Sequence, residues 1–158
     1  MPSDIPQPRI FQISLSKGGV PKLAVRKAQV STLGIEGDMH RDLKHHGGPE
    51  RALCLYSLER IQALQAEGHP IFPGAAGENI TVSGLDWSQI APGSRLCLGD
   101  QVVVEVTDFT VPCANIRESF SDERFIRIGQ DQHPGWSRVY ARILSEGQIA
   151  TGDPVALI

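Results

Sequence analysis

Arg95-Leu96-Cys97-Leu98-Gly99-Asp100-Gln101-Val102-Val103-Val104-Glu105-Val106-Thr107 places two runs of strand-forming residues on either side of a short turn. β-branched residues pack well on a pleated surface, and Gly-Asp supplies the backbone freedom of a tight reversal, so the stretch reads as a β-hairpin. Working outward, further short apolar runs predict strands over 10–15, 24–30, 52–56, 78–82, 139–144 and 154–158. The run over 24–30 reads as one amphipathic strand, and 52–56 as a buried one. Helical signals are fewer. Ser57 can cap a helix over 58–67, with Leu58, Ile61 and Leu64 on one face and Gly68 to end it. A second helix is expected over 114–120, directly after Pro112-Cys113.

Sixteen glycines and 11 prolines fall between these runs, as expected of many turns and few long helices. Strands outnumber helices and no regular βαβ alternation appears. The prediction is a mostly β fold, a closed or partly closed β-barrel with one or two peripheral helices. A chain of 158 residues can bury one sizeable core. Residues 1–9 are read as a flexible arm and 10–158 as a single domain, without internal repeats.

Composition narrows the function classes. The net charge of -3 argues against a dedicated nucleic-acid binder. No apolar run reaches the roughly 20 residues of a membrane helix, and Met1-Pro2-Ser3-Asp4-Ile5-Pro6 lacks a secretory pattern. Cys54, Cys97 and Cys113 are odd in number and include no CxxC, which excludes a disulfide framework or a closed cysteine-rich zinc site. The expectation is a cytoplasmic protein with reduced thiols that meets neither nucleic acid nor membrane. Walker and dinucleotide-binding glycine patterns are absent.

Polar density concentrates over 34–51, which includes Asp38, His40, Arg41, Lys44, His45, His46 and the pair Gly47-Gly48. Without strand or helix period it reads as a long surface loop, and adjacent glycines let backbone approach a ligand. One reading is a solvated charged loop. Another is a zinc or iron module ligated by His40, His46 and Asp38, although the spacing fits no helix face. Cys54 and Cys97 sit between leucines as small core residues do. Cys113, at the expected strand-to-helix junction, would gain thiolate character from unpaired amides and helix dipole; the competing reading is a cysteine buried at a strand end.

Gly37-Asp38, His46-Gly47-Gly48-Pro49-Glu50-Arg51-Ala52, Gly77-Glu78-Asn79, Gly99-Asp100, Pro112-Cys113, Gly135-Trp136, Tyr140-Ala141-Arg142-Ile143-Leu144 and Gly152-Asp153 follow one another in order. Together they resemble the MOSC domain, the C-terminal domain of molybdenum cofactor sulfurases, from about Gly34 to Val155. The resemblance implies a barrel like the small barrel domain of pyruvate kinase. It also implies binding of the molybdenum cofactor in its molybdopterin form, with Cys113 as sulfur carrier or metal ligand and as the catalytic cysteine.

On the same basis Asp38, His46, Gly47, Arg51, Asn79, Thr110 and Arg142 are the candidate cofactor-binding residues. Arg51, with one of Arg41, Lys44 or Arg142, is expected to face the cleft of Cys113, because the cofactor carries a phosphate. The implied chemistry is reduction of N-hydroxylated compounds, or sulfur transfer, at a molybdenum centre. A persulfide carrier without resting molybdenum is the alternative. Many members carry an arginine where Thr110 stands, so another group, Arg51 or Arg41, would have to replace it. Neither the N-terminal domain of the related reductases nor the aminotransferase-like domain of the sulfurases is recognisable, so a separate redox or sulfur-donor protein is the expected partner.

Overall fold

The computed structural model describes residues 7–16, 20–38 and 48–158. Eleven strands form among them: β1 (Arg9–Leu15), β2 (Leu23–Val25), β3 (Lys27–Ser31), β4 (Gly34–Ile35), β5 (Leu53–Ser57), β6 (Ile80–Ser83), β7 (Arg95–Leu98), β8 (Val102–Phe109), β9 (Val139–Ser145), β10 (Gly147–Ala150) and β11 (Val155–Leu157). The described α-helix is α1 (Leu58–Ala66); the remaining helical pieces are short 3-10 turns. The fold is mostly β.

The hairpin forms as read, with Leu98 opposite Val102, and β8 runs on to Phe109. β5 is buried along its whole length, as a strand covered on both faces should be. α1 begins at Ser57, whose hydroxyl accepts the Arg60 N–H at 3.1 Å. It buries Ile61 and Leu64 and ends at Gly68, whose φ of 99° suits glycine. Through α1, β5 and β6 become parallel neighbours; every other pairing is antiparallel.

The eight-stranded sheet runs β11-β7-β8-β9-β5-β6-β1-β2, and β10-β3-β4 form a second sheet. Both contribute to one core, where Ala28, Val30, Ile35 and Ile149 of the small sheet join Ile10, Ile13, Leu53, Leu55, Val104 and Val139.

Three expectations are corrected. First, the strand ladders do not close into a barrel. β2 occupies the outer edge of β1 over Ile13–Leu15, and Pro154 lacks the N–H a continuing ladder needs. What spans the gap is a short seam: Ile10 N–H to Asp153 C=O and Gly152 N–H to Ile10 C=O, both 2.8 Å, and Val155 N–H to Pro8 C=O at 3.0 Å. Second, the run over 24–30 divides at Arg26 into β2 and β3, which join different sheets. Val25 and the pair Ala28 and Val30 lie an odd number of residues apart, so one strand would send them to opposite faces, whereas all three pack on the core. Third, the expected helix after Cys113 is a 3-10 turn, Ala114–Ser119. The chain beyond it places Asp122 and Glu123 at φ 56° and 57°, which stops helical propagation.

Candidate functional site

A bulge in β8 sets the position of Cys113. Register shifts between Val106 and Asp108, so that Asp108 and then Phe109 oppose Tyr140 and Val139 of β9. Thr110, buried just beyond, donates its N–H to the Arg138 C=O at 2.9 Å and accepts the Ser137 hydroxyl on its own C=O at 3.2 Å. Val111 then turns out to solvent, and half-buried Cys113 follows in extended backbone. Because the following turn is a short 3-10 piece, the dipole argument for its thiolate loses its basis.

Tyr140 marks where the candidate groups converge. Burial pushes its phenol above the ordinary range; the Cys54 and Cys113 thiols act in the same direction, against the Arg138 and Arg51 cations. The Arg51 guanidinium lies 5.2 Å from the Tyr140 ring centroid, within cation–π range. Cys54 is the register partner of Tyr140, and its sulfur lies 3.7 Å from the Thr110 hydroxyl. Burial first, against the lowering effect of Arg138, raises the Cys54 thiol. Thr110 is thus tied inward to Cys54 and β9.

Asp38 and Asn79 form a second cluster. The Asp38 carboxylate accepts both contacts of Lys22 Nζ at 2.7 Å, Asn79 Nδ2 at 2.8 Å and the Ser16 N–H at 2.9 Å. Asn79 Oδ1 accepts the Cys54 N–H at 3.0 Å, and Nδ2 also reaches the Ser14 C=O at 3.3 Å. These bonds join β1, β5 and β6 beneath the start of the polar segment. His40, Arg41, Lys44, His45, His46 and Gly47 lie outside the described residues. Arg142 shares the β9 face of Tyr140 but contacts the Glu105 carboxylate, and its Nη1 is 3.5 Å from Glu50. Glu105 is held below the usual carboxylate range by the Arg95 hydrogen bond and by both guanidinium charges. Among the described residues, no three His, Cys, Asp or Glu side chains are grouped to hold a metal ion.

A family model described as the MOSC domain matches residues 42–156. The chain belongs to the MOSC domain family. That family is associated with molybdenum cofactor biology. The chain is 32% identical over 126 residues to the protein YflK of Bacillus subtilis, covering 78% of this chain and 55% of that one. It is 32% identical over 136 residues to a protein named "Reductase" in Gibberella moniliformis, covering 81% of this chain and 23% of that one. To YiiM of Escherichia coli it is 27% identical over 146 residues, covering 85% and 63%. It therefore spans less than two thirds of each of these relatives.

The crystal structure of YuaD from Bacillus subtilis shares this fold at a TM-score of 0.74 and 19% identity, with 94% of both chains covered. YiiM from Geobacillus stearothermophilus superimposes at a TM-score of 0.71, with 24% identity and 96% and 75% coverage.

In this MOSC chain the sequence reading passed over Lys22, Glu78 and Arg138 as site residues. Arg138 is buried, donates Nη1 to the Ala76 C=O at 2.6 Å, and leaves Nε without a partner. The signal was the period of two that Arg138, just before β9, keeps with Tyr140 and Arg142 on one face of that strand.

Proposed function

We propose that this chain holds a molybdenum cofactor in its molybdopterin form, with the Cys113 thiolate as protein ligand to the metal, and that it serves reduction of N-hydroxylated compounds there. The observation that carries this reading is the Arg51 guanidinium over the Tyr140 ring, with the Cys113 thiol and the Arg138 cation both acting on the Tyr140 phenol. A soft thiolate suits molybdenum, and guanidinium cations suit an anionic, phosphate-bearing cofactor. The single candidate thiol also fits a metal that arrives with its own organic ligands better than one needing several side chains. When bound, the group supplies two-electron redox chemistry. Cys113 holds it, Arg51 packs its charge against Tyr140, and buried Thr110 fixes the arm that carries Cys113 to the start of β9. Arg138, whose C=O bonds the Thr110 N–H, supplies a cation beside the position where the family often has its own.

The similarity to a fungal protein named "Reductase" favours reduction over sulfur transfer. Electrons then come from a separate redox protein. The test is elemental analysis of native and Cys113→Ser protein purified from a host that makes the cofactor, with reduction of an N-hydroxylated compound assayed using a chemical electron donor. Stoichiometric molybdenum in the native protein, lost with activity in Cys113→Ser while the melting temperature holds, is the expected result. Full molybdenum in Cys113→Ser, or none in the native protein, overturns it. A persulfide on Cys113 without molybdenum would identify a sulfur carrier instead.

A further inference from the structure

Glu78 has no exposed surface, and its Oε1 has no hydrogen-bond partner. Its other oxygen accepts the Thr81 hydroxyl at 3.4 Å, and the Gly74 and Glu78 amides face the group. Arg138 is 5% exposed, and its Nη1 rests on the Ala76 carbonyl rather than on this carboxyl, with Nε unpartnered. Glu78 and Arg138 are both buried, each keeps one orphaned polar atom, and no direct bond joins them; a protonated carboxyl fits that arrangement, because an ionised one would leave Oε1 charged and unpaired away from water. Burial pushes Glu78 up to about 7, against the lowering effect of those amides and of Arg138.

Cys54 and Tyr56 on β5 lie in its field, and Lys22, already committed to Asp38, acts on Cys54. Arg60 of α1 and Arg127 act on Tyr56. Arg138 is the cation common to Cys54, Tyr56, Glu78 and Tyr140.

We propose that Glu78 is a proton-holding positioning residue of the Cys113 site acting through Arg138: protonated, it leaves the guanidinium on the Ala76 carbonyl; ionised, it draws the guanidinium onto its own free oxygen. The proton leaves to solvent, and the cation that faces Cys54 and Tyr140 is neutralised. The same movement releases the 74–77 turn, whose Gly74 carbonyl holds the Lys22 N–H at 2.9 Å and through Lys22 the Asp38 carboxylate. One proton thus couples the field at the thiol site to the anchor of the polar segment.

The test needs no cofactor and so stands apart from the reading above. Carboxyl-labelled glutamate in the cofactor-free chain is titrated by 13C NMR from about pH 5 to about 9. One signal should titrate with a midpoint between about 6 and 8, vanish in Glu78→Gln, and rise by about one unit or more in Arg138→Met. Gln copies the protonated carboxyl in shape and should fold. The rate at which a thiol reagent labels Cys113 should show an inflection at that same midpoint in the native chain and lack it in Glu78→Gln. All glutamates titrating below about 5.5, or a Cys113 profile identical in the two proteins, overturns the proposal.

Discussion

Asn79 bonds the Cys54 amide, the Ser14 carbonyl and the Asp38 carboxylate at once, so its side chain holds three segments together. Asn79→Ala leaves a buried N–H unpaired and half-strips a buried ion pair, and should cost about 2–4 kcal/mol in urea unfolding. The same loss of stability would accompany any loss of cofactor, which separates Asn79 from a residue that only touches ligand. Glu78 makes a pH-dependent contribution. Its folded carboxyl is raised from 4.5 to about 7, so the native state retains a proton that the unfolded chain releases. Stability from this group is fully present below 4.5 and is lost as pH rises through about 7, by at most about 3 kcal/mol. Glu78→Gln should therefore remove a fall in melting temperature between about pH 5 and 8, and equal slopes in the two proteins would contradict the assignment. Cys113 could be singled out from its neighbours in sequence, and Arg138 only through its period of two with Tyr140; Glu78 could not, since nothing about it is unusual until its burial is known.

The elements around the site are positioned by backbone details. The β8 bulge turns the arm of Thr110 toward β9, and Thr107 ties the bulge to the Glu50 carbonyl at 2.6 Å. β4 approaches the residue before β5 so closely that a Cβ on Gly34, at φ 115°, would overlap the Ala52 carbonyl oxygen. Backbone cannot yield as a flexible side chain does. Gly34→Ala combines a left-handed penalty with that clash and should cost about 3 kcal/mol or more in thermal unfolding, with Gly37→Ala, where no atom of the described residues lies within 4 Å of the Cβ, costing the conformational share of about 1–2 kcal/mol. Arg60 and Arg127 lie 4.6 and 4.1 Å from the Trp136 ring centroid, and Tyr56 donates its hydroxyl to the Trp136 carbonyl at 2.6 Å. This clamp holds the segment that leads into Arg138 and β9.

Across the molecule, the two sheets share one buried core, so they should unfold together. Val30→Ala in the small sheet and Leu55→Ala in the large one should each lower a single calorimetric transition, by about 2–4 kcal/mol, and two resolved transitions would show the small sheet to be independent. The hairpin of β7 and β8, buried β5 and capped α1 were legible from residues alone, because each rests on interactions among near neighbours: side-chain alternation, a turn and an N-cap. The family motifs were legible for the same reason, as short strings. The division of 24–30 between two sheets, the open order from β11 to β2, and the 3-10 turn after Cys113 were not. They depend on which edges find partners and where Val25 must point once the sheets pack. The burial of both Glu78 and Arg138, and the placing of Arg51 over the Tyr140 ring, belong to the same class. Local pattern chose the elements; burial and long-range register chose which charges they bring together.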